Sequence, residues 1–172
     1  VLADYASVIQ QKFAADYASG NIESFKVNAD AFMSLIGDMD MLLATRDEFL
    51  LGNWLESAKA MGDTPEESKL YEKNARNLLG TWGNKDCKLF DYACKQWSGM
   101  MNGYYKQRWS LFFEDVLANW GHYDQKEFAE KCKDYEWNWI SDTTCFPTET
   151  IGDEIEVVKS IWNKYSSDLL ND

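Results

Sequence analysis

The chain has 172 residues, 45% of them hydrophobic, with eight Trp, nine Tyr and nine Phe. That is enough apolar material for one ordinary domain with its own core, and too much for a disordered segment. Seventeen basic residues against 29 acidic ones leave a net charge of −12, a field that repels nucleic acid and anionic membrane, so neither is expected as a partner. No apolar run approaches the ~20 residues of a membrane span, and residues 1–6 show neither a basic start nor a cleavage pattern, so no signal peptide is expected there.

Helical periodicity begins at once. Leu2, Ala6, Ile9, Phe13 and Tyr17 recur at three and four, and Gly20 is a natural stop. No cap precedes Val1, which is how a domain cut from a longer chain would begin. A second helix is predicted over 22–44, with Phe25, Phe32, Leu35, Ile36, Met39, Leu42 and Leu43 as its apolar stripe. A third is predicted over 47–61, placing Phe49, Leu50, Trp54, Leu55 and Ala58 on one side. The fourth has a strong start signal: Thr64 can cap, Pro65 fits the first helical position, and Glu67 completes a capping box. It runs to about Leu79, where Gly80-Thr81-Trp82-Gly83-Asn84-Lys85-Asp86 breaks the pattern. Asp91 is read as the cap of a long fifth helix from Tyr92 to Trp120, stopped by Gly121. Asp124 with Glu127 starts the sixth, to about Ile140. A loop through Thr143, Cys145 and Pro147 leads to a seventh, with Ile155, Val158, Ile161, Trp162, Tyr165 and Leu169 at helical spacing.

With two prolines and no lasting period-two alternation, the expected fold class is all-α. Residues 1–172 read as a single bundle of about six or seven mostly antiparallel helices. The stretch between Leu79 and Asp91 is the longest irregular segment amid the aromatics, and irregular loops on rigid scaffolds tend to carry function.

The chemistry-bearing residues are sparse. Cys87, Cys94, Cys132 and Cys145 form no CxxC pair, so a zinc ribbon is not expected. Two readings stay open: four buried or half-buried thiols, or two short local disulfides, Cys87 with Cys94 and Cys132 with Cys145, which need an oxidising compartment. The single histidine, His122, follows Gly121 and reads as a solvated helix-end residue, so neither a metal site nor a histidine-dependent triad is expected. The acids Glu66 and Glu67, and Asp153, Glu154 and Glu156, sit where helix starts and solvated faces want them. Arg76, Lys95, Lys106 and Arg108, scattered among acids and aromatics, read as ion-pair partners. Gly80-Thr81-Trp82-Gly83 lacks the spacing and lysine of a phosphate loop, and no cofactor is expected. Trp54 and Trp109 read as core; Trp82, at a helix end beside Gly83, is placed to show a flat face at a cleft.

Five motifs follow in order: Phe49-Leu50-Leu51-Gly52-x-Trp54-Leu55-x-x-Ala58, Tyr71-Glu72-x-Asn74-Ala75-Arg76, Thr81-Trp82-Gly83, Asp91-Tyr92-Ala93-x-Lys95-Gln96-x-x-Gly99, and Tyr104-Tyr105-x-x-Arg108-Trp109-x-x-Phe112. In this order and at these separations they resemble the C-terminal region of the alpha-N-acetylglucosaminidase family, best from about Phe49 to Leu117. The resemblance implies a helical C-terminal domain from an enzyme with a small N-terminal domain and a catalytic barrel, both absent from this chain. Such enzymes remove terminal alpha-linked N-acetylglucosamine with retention, using two glutamates of the barrel that match no position here. The helical domain packs against the barrel and lends residues to the pocket rim; the matching positions are Trp82, Leu89 and Tyr92. The 84–88 loop is one residue longer than the family pattern, and Cys87 and Cys94 fall outside it. The implied partners are the barrel and an N-acetylglucosamine-terminated glycan, and the implied compartment is exported in a bacterium or lysosomal in a eukaryote. The competing class is a free-standing helical interaction module whose aromatics fill its own core.

Overall fold

The computed structural model describes residues 1–87, 91 and 93–170. Among the described residues there are seven α-helices: α1 Leu2–Ser19, α2 Ile22–Leu43, α3 Leu51–Lys59, α4 Pro65–Leu79, α5 Lys106–Ala118, α6 Gln125–Ile140 and α7 Glu154–Leu169. Among the described residues there is no strand, only one isolated parallel bridge between Leu50 and Ser98. The all-α bundle read from the periodicity is the fold observed.

Local chemistry sets most boundaries. Gly20 closes α1 in the left-handed conformation at φ 75°, which costs a glycine little. Asn21 accepts from the Ser24 amide at the start of α2. Thr64 and Glu67 form the capping box in both directions, with Pro65 in the first turn of α4. The Asp124 carboxylate accepts from the Lys126 and Glu127 amides, and Asp153 accepts from that of Glu156.

Two apolar clusters result. The first joins α1, α2, α5 and α7 around Phe13, Phe25, Phe32 and Phe113, with Trp109 4.7 Å from the Phe32 ring centroid in a T-shaped pair. The second joins α3, α4 and α6 around Leu51, Leu55, Leu79, Met100, Tyr104, Trp139 and Ile140.

Two expected helices differ. The third breaks: Asp47–Phe49 is a 3-10 turn, Leu50 is extended, and α3 begins only at Leu51. The Ser98 amide donates to the Phe49 carbonyl at 2.8 Å, and the Leu51 amide to the Ser98 carbonyl at 3.1 Å, so tertiary pairing takes the backbone groups a helix would use. The fifth helix begins later than expected. Asp91 is in a turn at φ 50°, residues 94–97 are irregular, and helix resumes at Met100. The cap is Asp40 of α2, whose Oδ1 accepts from the Gly99 amide at 2.7 Å and the Asn102 amide at 3.0 Å. Ser98 Oγ donates to Asp40 Oδ2 at 3.2 Å. From Met101 to Tyr105 the helix is π-wound before it settles into α5.

α7 also presents a second face. Ile161 and Tyr165 are buried, but Ile155, Val158 and Trp162 are 61%, 47% and 52% exposed. Trp54, expected in the core, is half out in solvent; its ring nitrogen donates to the Ala75 carbonyl at 3.2 Å. Trp109 lies in the first cluster as expected.

Candidate functional site

The connection from Gly80 to Gly99 carries the candidate site. Of the described residues, the three non-glycines with positive φ all fall within it: Trp82 at 62°, Asp91 at 50° and Cys94 at 41°. A bulky residue held there costs roughly 1–2 kcal/mol and persists only where surrounding contacts fix it. The glycines flanking Trp82 do not absorb the turn. Gly80 and Gly83 keep ordinary φ signs, and the left-handed conformation falls on the tryptophan itself.

The contacts that hold Trp82 begin in α4. Its amide donates to the Asn77 carbonyl at 2.7 Å. The buried Thr81 hydroxyl, 1% exposed, donates to Asn77 Oδ1 at 2.8 Å and lies 3.3 Å from the Gly83 carbonyl. The backbone is thus fixed on both sides of a tryptophan that is itself 42% exposed. Leu78, also exposed, lies at the same end of α4. Leu89 and Tyr92, the other two expected rim residues, lie outside the described residues.

The far end of the loop is tied back. The Asp91 amide donates to the Gly80 carbonyl at 3.0 Å. The Asp91 carboxylate accepts from Arg108 Nη2, while Arg108 Nη1 donates to Glu136 of α6 at 2.6 Å. The guanidinium lies over the rings of Tyr104 and Tyr105, 5.2 and 5.5 Å from their centroids. Glu136 is 3% exposed. Burial alone would lower the Arg108 pKa, but the hydrogen bond and charge of Asp91, with Glu136 adding a bond, leave it raised. The group therefore stays charged at any working pH.

A second buried pair supports α4. Arg76, fully buried, donates to Glu72 Oε1 at 2.8 and 3.1 Å and to the Thr144 carbonyl at 2.6 Å. Arg76 and Arg108 are ion-pair partners, as their scatter among acids suggested. Two of their acidic mates, Glu72 and Glu136, are buried, which sequence position did not disclose.

All four cysteines are free: Cys87 and Cys132 are half-buried, Cys94 and Cys145 exposed. Burial, helped by the Glu136 charge, pushes the Cys132 thiol up to about 12. His122 is exposed beyond Gly121. Among the described residues no group of three or more His, Cys, Asp or Glu could hold a metal ion, and no helix is long and apolar enough to cross a membrane. The acids noted at helix starts, Glu66, Glu67, Asp153, Glu154 and Glu156, are all exposed.

Fold and loop together define an all-helical bundle that displays a strained aromatic connection at its surface. Residues 1–164 match the family model of the alpha-N-acetylglucosaminidase C-terminal domain, and the chain belongs to that family. It is 34% identical over 134 residues to human alpha-N-acetylglucosaminidase, a match covering 76% of this chain and 18% of that protein. A family 89 glycoside hydrolase from Clostridium perfringens, solved in complex with PUGNAc, superposes with a TM-score of 0.86 at 30% identity, covering 100% of this chain and 20% of that one. The same organism's enzyme in complex with its substrate GlcNAc-alpha-1,4-galactose gives a TM-score of 0.83 at 30% identity, over 95% of this chain and 20% of that one. The chain thus spans about a fifth of the length of these relatives.

Proposed function

We propose that this domain serves a retaining alpha-N-acetylglucosaminidase, packing on its catalytic barrel and lining the pocket for a terminal alpha-linked N-acetylglucosamine. The observation that carries the reading is Trp82: a large ring at φ 62°, 42% exposed, on a backbone fixed from both sides. Strain retained at an exposed aromatic is accounted for by a ligand or partner that needs the ring in that place. A tryptophan face suits the apolar C–H face of a sugar, and its N–H suits a hydroxyl. Leu89 and Tyr92 complete the proposed rim on family resemblance. The exposure of Leu78 and Trp82 supports this end of α4 as the barrel-facing side. The acid and the nucleophile belong to the barrel, so the isolated chain should hydrolyse no aryl alpha-N-acetylglucosaminide.

The test is Trp82→Ala in the intact enzyme. Alanine keeps the same left-handed strain, so stability should change little. The expected result is a fall in kcat/KM of about tenfold or more, about 1.4 kcal/mol per decade. Lowered stability with normal kcat/KM in the folded fraction would assign Trp82 to the domain interface and not to the pocket.

A further inference from the structure

Resting on the reading of Trp82 as a pocket residue, we propose that Asp91 and Arg108 form a positioning clamp that holds the Trp82 turn ready for the sugar, with Glu136 as its fixed anchor. The clamp is a chain of contacts. Glu136, almost wholly buried on α6, holds Arg108 Nη1 at 2.6 Å. Arg108 Nη2 donates to the Asp91 carboxylate. The Asp91 amide donates to the Gly80 carbonyl at 3.0 Å, two residues from Trp82. Thr81 and Trp82 are then tied to Asn77 on the α4 side.

Three features set this apart from an ordinary ion pair. Arg108 uses separate nitrogens for carboxylates from two parts of the chain, so it fixes a loop to a helix. Its flat group lies between those carboxylates and over two tyrosine rings, which leaves little room to swing. Asp91 is itself left-handed at φ 50°, a sparsely populated conformation that its contacts select at this loop end. A released Asp91 would relax and carry the Gly80 carbonyl, and with it the Trp82 turn, out of place. Neither residue need touch the sugar; both act through the tryptophan.

Asp91→Asn tests this in the intact enzyme. Asparagine tolerates the left-handed conformation as aspartate does, so the substitution removes the charge while leaving the backbone preference at residue 91 unchanged. If Trp82 binds ground state and transition state alike, loss of its placement raises KM and spares kcat. The expected result is a KM raised by about fivefold or more with kcat within about twofold. Arg108→Lys, which cannot reach both carboxylates with a planar fork, should shift KM in the same direction. In a Trp82→Ala background, Asp91→Asn should add less than about twofold to the loss in kcat/KM, because the group it positions is gone. An unchanged KM in both single variants, or equal factors in the two backgrounds, would overturn the clamp while leaving Trp82 in the pocket. A Trp82→Ala enzyme with normal kcat/KM would overturn the pocket reading and the clamp with it.

Discussion

Arg76→Ala should be among the most damaging single substitutions in the domain. The guanidinium is 0% exposed, gives two hydrogen bonds to Glu72 and one to the Thr144 carbonyl, and lies 5.1 Å from the Trp139 ring centroid and 5.5 Å from that of Phe146. Its removal leaves the Glu72 carboxylate, whose side chain is 11% exposed, without its counter-charge. Breaking a buried pair from one side costs about 3–5 kcal/mol. For a domain of this size each kcal/mol lowers Tm by about 2–4 °C, so a drop of about 6–20 °C is expected. Thermal and urea unfolding of the 172-residue chain, followed by far-ultraviolet circular dichroism, measures it. The pair itself need not be strongly stabilising, since Arg76 Nη1 is buried without a partner. Replacing both charges together, Arg76→Met with Glu72→Leu, should therefore recover much of the loss, short of about 1–3 kcal/mol for the orphaned Thr144 carbonyl. If Arg76→Ala cost less than about 1 kcal/mol, or the double variant were worse than the single one, the account of this pair would be wrong.

Other substitutions probe other links. Asp40→Ala should cost about 1–2 kcal/mol in urea unfolding and speed amide exchange at Gly99 and Asn102, which lose their charged acceptor. Gly52→Ala should destabilise by at least about 1–3 kcal/mol, because the new Cβ would sit 2.1 Å from the Pro147 carbonyl oxygen and 2.6 Å from that of Phe146, both fixed backbone atoms. Alkylation near neutral pH should modify the exposed Cys94 and Cys145 first and Cys132 last, as mass spectrometry of partial digests would read out. The Cys132 pKa is raised from an ordinary value of 9.0 to about 12. The stability tied to its protonated form is therefore whole below about 9 and lost as pH rises towards 12. Cys132→Ala should flatten that alkaline decline.

Helix starts written in local code were legible. Thr64, Pro65 and Glu67 lie within four residues, and the sequence boundary of α4 matches the structure. Asp124 and Gly20 were equally local. The start of the fifth helix was not, because its cap, Asp40, lies 59 residues before Gly99. Asp91 looks like a cap in sequence, since an acid precedes an apolar periodic run, yet its carboxylate goes to Arg108. Leu50 reads as helix by its neighbours and is extended by its bridge to Ser98. The candidate loop was found by its glycines and its tryptophan. Its strain was not, because φ at Trp82 is fixed by Asn77 and Thr81 through contacts that composition does not encode. The exposed face of α7 was hidden by having apolar residues on both sides, so spacing alone could not say which side is inward.

The π-wound segment Met101–Tyr105 bears on which changes of length this domain could tolerate. A π turn closes over one residue more than an α turn, so the chain on its two sides is offset by about 100° from a uniform helix. One continuous rod places Met100 and Tyr104 in the second cluster and Met101, Phe113 and Val116 in the first. Tyr135 meets the displaced backbone, donating to the Gly103 and Tyr104 carbonyls at 3.3 and 3.0 Å. Deleting one residue here would let the segment relax to α-helix with both flanks keeping their phase, at the cost of the two Tyr135 hydrogen bonds. A single-residue gap among relatives of this sequence can therefore fall in the segment that looks, on paper, like the middle of an ordinary helix, whereas the link between α6 and α7, pinned at Thr144, Phe146 and Pro147, is a poorer place for one.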